Sequence, residues 1–170
     1  HPAHASILNG RTTPKIGGNT QFICMRNIYK SLDQSIQKQL DNLDAIHHFA
    51  HSRSKIDSSM VSQIELDKFP PVVHPMVKIN PVNNKKAVYF GSHTKSIKNL
   101  DENESSKLLK YLNDFINNED YIYSHKWDDF DLIIWDNRSM LHRGQPYDIT
   151  EPRYLVRATV SDTMSTGTYL

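Results

Sequence analysis

Trp135-Asp136-Asn137-Arg138-Ser139-Met140-Leu141-His142-Arg143-Gly144 is the stretch on which the fold reading turns. It continues the apolar run Leu132-Ile133-Ile134, so a hydrophobic segment ends in Trp-Asp-Asn-Arg and a histidine stands just beyond. Such a run between turn residues predicts a strand from Asp131 to Asp136 with a fully apolar middle. A histidine past its end sits at the mouth of a sheet sandwich, within reach of water and ligand. Taken alone, a histidine there is more often a hydrogen-bonded structural residue than a ligand. Further on, Arg153 and Arg157 stand four residues apart on what reads as the last strand, ending at Val160. Even spacing on a strand puts both side chains on one face. Two guanidinium groups withdrawn together from water require an anion, and their planar forks match carboxylates. Spacing leaves the alternative open, that they pair at the surface with Asp136, Asp148 or Glu151.

Outward from this stretch the chain is a series of short strands. Residues 5–10 read as a strand, 12–19 as turn and 20–25 as a second strand. Gly17-Gly18-Asn19-Thr20 lacks the spacing and the lysine of a phosphate loop, although Thr20 can offer its hydroxyl to an anion. Residues 26–48 read as one helix with Ile28, Leu32, Ile36, Leu40, Leu43 and Ile46 on its apolar face. Asp33, Gln37, Lys38 and Asp41 form its solvated face, and His47, His48 and His51 cluster at its C-terminal end, where the macrodipole favours them. Residues 52–69, including Ile56 and Asp57-Ser58-Ser59, read as a mobile lid or insertion. Pro70, Pro71 and Pro75 force an extended segment; strands follow at 76–79 and 87–90 around a turn at 80–85. Leu100-Asp101-Glu102 opens a helix with Leu108, Leu109, Leu112, Phe115 and Ile116 on one face, and 121–127 alternates as a strand. This predicts a mainly β fold with flanking helices, a sandwich or jelly roll. A doubly wound α/β sheet is weakened by connections too short for parallel crossovers.

A length of 170 residues suits one domain. A net charge of +1 gives no electrostatic footprint for nucleic acid or an anionic membrane. Cys24 is the lone cysteine, which excludes an internal disulfide and a cysteine-based zinc site and suits a reducing cytoplasm; its side chain reads as a small buried apolar group. No apolar run has the length of a membrane span. Self-association into a homo-oligomer stays open.

Taken together, Gly-Gly-Asn-Thr-x-Phe at 17–22, Trp-Asp-Asn-Arg at 135–138, His142, Arg153 and Arg157 resemble the iron(II)- and 2-oxoglutarate-dependent dioxygenases of the taurine dioxygenase and 2,4-dichlorophenoxyacetate dioxygenase superfamily. Residues 141–148 and 157–162 look nearer its aryloxyacetate branch. The resemblance implies a double-stranded β-helix, with iron(II) held by two histidines and a carboxylate and with 2-oxoglutarate as cosubstrate. It makes His142 the distal iron ligand and catalytic residue, and makes Thr20 and Arg153 the holders of the far carboxylate of 2-oxoglutarate. Arg157, and less directly His93, would meet the substrate. The partners implied are 2-oxoglutarate, O2 and a small anionic organic substrate of aryloxyalkanoate, sulfonate or carboxylate type, hydroxylated as succinate and CO2 form. The family's His-x-Asp pair precedes a strand like Ser6-Ile7-Leu8, and no His-x-Asp or His-x-Glu occurs in this sequence. Residues 1–170 are therefore expected to be the C-terminal major part of one dioxygenase domain, incomplete at its N-terminus, with His1 and His4 just downstream of the pair. A non-catalytic carboxylate-binding domain and an inactive fragment are the alternatives.

Overall fold

The computed structural model describes residues 3–54, 57 and 61–161, and the backbone of 168–169. Of the residues singled out above, His1, Ile56, Ser58, Ser59 and Asp162 lie outside them. The fold is mainly β, built on two three-stranded antiparallel sheets that face each other. In one sheet β1 (Ala3–Thr12) runs between β11 (Tyr154–Ser161) and β9 (Leu132–Asp136). In the other, β2 (Thr20–Cys24) runs between β10 (Met140–Gly144) and β8 (Ile122–His125). Alternation along these strands sorts their residues. Ser6, Trp135 and Arg157 lie toward the second sheet, as do Leu8 and Ile133. Leu132 and Ile134 point the other way and are 61% and 62% exposed, so that outer face is apolar and open among the described residues.

The main core lies behind the second sheet. Ile23 and Leu141 turn away from the interior onto α1 (Met25–Ser31), α2 (Gln34–Leu40) and α5 (Glu102–Ile116). Leu108, Leu112 and Ile116 recur every fourth residue, which makes one buried stripe on α5. Its start is set by a capping box: the Asp101 carboxylate accepts from Glu104 N at 2.8 Å, and the Glu104 side chain accepts from Asp101 N.

A four-stranded sheet in the order β12 (Thr168–Tyr169), β4 (Val72–Pro75), β3 (Asp44–His47) and β7 (Thr94–Ile97), and a hairpin of β5 (Val77–Ile79) and β6 (Lys86–Val88), complete the strands among the described residues, and here the helix expected over 26–48 is corrected. It is broken at Leu32, whose backbone is extended and whose carbonyl accepts from the Gln37 side chain at 2.8 Å. After Leu40 the chain turns into β3 (Asp44–His47), which pairs with β4 (Val72–Pro75) and β7 (Thr94–Ile97). Three-residue spacing from Leu40 through Leu43 to Ile46 imitates a helix, but strand partners far along the chain decide the conformation. Asp41 is more than part of a solvated face, because it accepts from Tyr29 and from Lys86 at 2.7 Å. Residues 52–69 include the end of α3 (Phe49–Ser54) and a short helix, α4 (Gln63–Lys68), which has its own capping box at Ser62 and Glu65.

His47 is thus a strand residue, not a helix terminus. Its ring packs 5.4 Å from His74 and 5.3 Å from Tyr89, and its Nε2 is buried without a hydrogen-bond partner. Burial, reinforced by the charges of His74, Lys78 and His93, lowers its pKa to about 4. A histidine held neutral in the fold contributes stability above its unfolded pKa, and that stability is lost as pH falls from about 6.5 toward 4. Unfolding free energy should therefore drop by roughly 2 kcal/mol from this group between pH 7 and pH 5. Urea titrations across that range should give a shallower pH slope for His47→Gln than for the unmodified chain; parallel slopes would contradict the assignment.

Candidate functional site

The facing sheets meet through aromatic rings. Trp135 on β9 lies 5.3 Å from Phe22, edge to face, and 4.7 Å from the ring of His142. Its indole N–H donates to Asn137 Oδ1 at 2.8 Å, and Asn137 Nδ2 donates to Ser6 Oγ at 2.9 Å. The Trp-Asp-Asn-Arg turn is in this way tied to the middle of β1. Within the turn, Arg138 grips Asp136 through Nε at 2.9 Å and a second guanidinium nitrogen at 3.0 Å. Burial pushes the Asp136 carboxyl up, but these bonds outweigh it and hold the group below its usual range.

His142 does not sit past a strand end as the sequence suggested. It is the central residue of β10, opposite Phe22 on β2, a pairing that only the tertiary structure supplies. The residue is exposed, but its ring packs against Phe22 and Trp135, and burial on that side, followed by the charge of Arg157, holds its pKa below the ordinary value. Arg157 lies on β11 opposite Leu8 and reaches Ser6 Oγ at 3.5 Å, a long contact.

Arg153 precedes β11 and is not a strand residue, so alternation does not govern where it points. Its side chain turns to the glycine pair, donating to Gly18 O at 3.2 Å, and lies over the Tyr147 ring at 5.5 Å. Its Nε is buried and has no hydrogen-bond partner. Thr20, two residues beyond Gly18, is buried opposite Gly144 and His125 and accepts from Trp127 Nε1 at 2.9 Å. The carboxylates that could have neutralised the two arginines are engaged elsewhere. Asp136 is held by Arg138, Asp148 accepts from Thr150, and Glu151 accepts from Lys15 N at 2.7 Å. Among the described residues no carboxylate pairs with Arg153 or Arg157.

His93 falls in a different cluster. Its Nδ1 is 2.8 Å from Ser52 Oγ, its ring stacks on Phe49, and burial followed by Arg53 lowers its pKa. The contact of Trp127 with Thr20 is one that the sequence reading passed over, taking Trp127 as the tail of a strand. The alternation Tyr123, His125, Trp127 was visible, but its meaning needed β2 alongside.

The family model described as taurine catabolism dioxygenase TauD, TfdA family matches residues 1–159. This chain belongs to the TauD/TfdA family. A 2,4-dichlorophenoxyacetate dioxygenase from Cupriavidus pinatubonensis is 34% identical over 160 residues, which is 94% of this chain and 56% of that protein. An (S)-phenoxypropionate/alpha-ketoglutarate-dioxygenase from Sphingobium herbicidovorans is 31% identical over 99% of this chain and 61% of its own length. The chain thus spans little more than half the length of these TauD/TfdA relatives. The crystal structure of AAD-2 with Mn(II) and N-oxalylglycine superposes with a TM-score of 0.92 at 35% identity, covering 97% of this chain and 66% of that one. A taurine dioxygenase from Burkholderia xenovorans gives 0.80 at 27% identity, covering 94% and 52%. The jelly-roll architecture and the aryloxyacetate branch expected from the sequence both hold.

The described residues fit the family's two small components unequally. An unpartnered buried guanidinium nitrogen at Gly18, with a buried hydroxyl two residues further along the chain at Thr20, suits a carboxylate. No group of three or more histidine, cysteine, aspartate or glutamate residues able to hold a metal occurs among the described residues, so His142 alone does not make an iron centre.

Gly18 is where the site tolerates no side chain. Its φ is +66°, and a Cβ there would stand 2.9 Å from Pro14 Cγ and 3.2 Å from Arg153 Nε. Gly18→Ala should cost at least about 1–2 kcal/mol from the left-handed backbone alone. Thermal unfolding checks this, and an unchanged midpoint would contradict the left-handed strain at this position.

Proposed function

We propose that this chain is the part of an iron(II)- and 2-oxoglutarate-dependent dioxygenase that clamps the cosubstrate carboxylate and meets an anionic substrate. The observation that carries this reading is Arg153: a guanidinium with a buried, unpartnered Nε, pointed at Gly18 beside Thr20. A guanidinium with a desolvated, unpartnered nitrogen and no protein counter-ion is costly, and a carboxylate accepting from its fork offsets that cost. Arg153 and the Thr20 hydroxyl would hold the far carboxylate of 2-oxoglutarate. His142, whose pKa is lowered by burial and by the charge of Arg157, would offer a nitrogen lone pair to iron, whose other protein donors would lie outside the described residues. Arg157 would meet the anionic group of the substrate, and His93, anchored by Ser52, would border the substrate side. The overall reaction joins 2-oxoglutarate, O2 and substrate into succinate, CO2 and hydroxylated substrate. Relatives named for 2,4-dichlorophenoxyacetate, phenoxypropionate and sulfate esters support a small anionic molecule of aryloxyalkanoate, sulfonate or carboxylate type as substrate.

A second reading is favoured by one observation, the lack of a three-donor metal group among the described residues: a domain that binds carboxylates without catalysis. Oxygen consumption separates the two. Iron(II)- and 2-oxoglutarate-dependent uptake of O2 by the protein carrying this chain supports the dioxygenase. Carboxylate binding that ignores iron supports the second reading.

In that protein Arg153→Ala should weaken 2-oxoglutarate binding by about 2–5 kcal/mol, the cost of removing a charge-assisted contact. Arg153→Lys should recover part of it, since the bidentate fork is lost while the charge remains. Calorimetric titration with 2-oxoglutarate measures both, and an unaltered affinity in Arg153→Ala would remove the residue from the clamp. Arg157→Ala should raise KM for the organic substrate while leaving 2-oxoglutarate affinity near the original; the reverse pattern would exchange the roles of the two arginines.

A further inference from the structure

Tyr123, His125 and Trp127 take no part in the clamp as described so far, yet the fold brings them against it. Register places Tyr123 opposite Phe22 and His125 opposite Thr20, so β8 presents both rings on the face that carries His142 on the far side of β2. His125 is gripped at both nitrogens. Its Nε2 lies 3.0 Å from Asp131 Oδ2, which puts the ring proton on that nitrogen, and its Nδ1 lies 3.3 Å from the Tyr123 hydroxyl. Asp131 is itself fixed, because the same oxygen accepts from Asp128 N at 2.9 Å. The His125 ring stands edge to face on Trp127, with centroids 4.8 Å apart and planes at 88°. From another side the indole meets Gly10, where a Cβ would come within 3.3 Å of Trp127 Cε3. Trp127 is therefore buried and held, with its N–H directed at Thr20 Oγ1.

An indole N–H can only donate. The Thr20 oxygen must act as acceptor in that bond, and its own proton has to go elsewhere. Thr20 is 3% exposed, and among the described residues it donates to no acceptor. Resting on the reading above, that Arg153 and Thr20 hold a carboxylate, we infer that Trp127 is a positioning and specificity-determining residue of the carboxylate site. By donating to Thr20 it commits the hydroxyl to donate to the ligand, and the His125–Asp131 pair keeps the indole in place. The ligand end then meets the donors of Arg153 and Thr20, while the Gly18 carbonyl beside them already accepts from Arg153. A carboxylate accepts from both, whereas the NH2 of a carboxamide finds no acceptor there.

The test is calorimetric binding of 2-oxoglutarate and of 2-oxoglutaramate, its C5 amide, to the protein carrying this chain. Thr20→Val should weaken 2-oxoglutarate about tenfold, the range of one hydrogen bond to a charged group, and Thr20→Ser should restore it. Trp127→Phe keeps the ring and removes the donor. It should weaken 2-oxoglutarate about three- to tenfold and narrow the preference for 2-oxoglutarate over the amide. The double variant should bind no worse than Thr20→Val alone, because both changes act through one hydroxyl. Should thermal unfolding show that Trp127→Phe does not fold, His125→Leu replaces it in the same cycle, with the same direction and non-additivity expected. Original affinity and selectivity in the folded variant, or additive losses in the double, would overturn the inference while leaving the clamp intact. Failure of the unmodified protein to bind 2-oxoglutarate would overturn the proposed function, and this inference with it.

Discussion

Trp135 wedged between the sheets is the contact on which the rest of the site depends. Its ring touches Phe22 and His142 on one sheet while its own strand pairs with β1 on the other, so it sets the gap that the interior residues share. Close packing makes such a spacer stiff, since moving it opens a void or forces a clash. The same residue steers polarity: its N–H takes the Asn137 carbonyl, Asn137 turns its amide to Ser6, and Ser6 lies where Arg157 enters. His142 inherits its half-covered position, and its lowered pKa, from that arrangement.

Charge in the interior is one-sided. Arg153, Arg157 and the Thr20 hydroxyl present donors, while Asp136, Asp148 and Glu151 spend their oxygens on neighbouring backbone and side-chain groups. These local bonds keep the nearby carboxylates from quenching the arginines. Under the proposed function such a site would select by sign: an anion would accept from Arg153, Arg157 and Thr20, and a neutral isostere would leave donors facing donors. The cluster of His47, His74 and Tyr89 in the four-stranded sheet solves burial differently. There the imidazole of His47 gives up its charge, which couples this sheet to pH and has no counterpart at the clamp.

Local chemistry was legible where neighbours in sequence decide it. The helix opening at Leu100-Asp101-Glu102, its stripe Leu108, Leu112 and Ile116, and the strand through Leu132-Ile133-Ile134-Trp135 are all local patterns, and each forms the element its pattern indicates. The helix read over 26–48 failed because spacing of three from Leu40 to Ile46 does not say whether β4 and β7 will offer hydrogen bonds to residues 44–47. His142 was taken for a residue beyond a strand because the β2 partner that makes residues 140–144 a strand lies more than a hundred positions earlier.

By itself the sequence determined the fold class, the family and the residue types the site has to work with, because alternation, turn residues and the Trp-Asp-Asn-Arg to Arg157 spacing are written along the chain. Only the tertiary structure decided which of those residues are solvated, paired or left wanting a ligand. Arg153 and Glu151 are two positions apart in sequence, yet Glu151 goes to Lys15 and Arg153 goes to Gly18. Thr20 and Trp127 are separated by 107 positions and share one hydrogen bond. Whether a charge or a hydroxyl is satisfied depends on distance and burial in space, and strand pairing across the whole chain sets both.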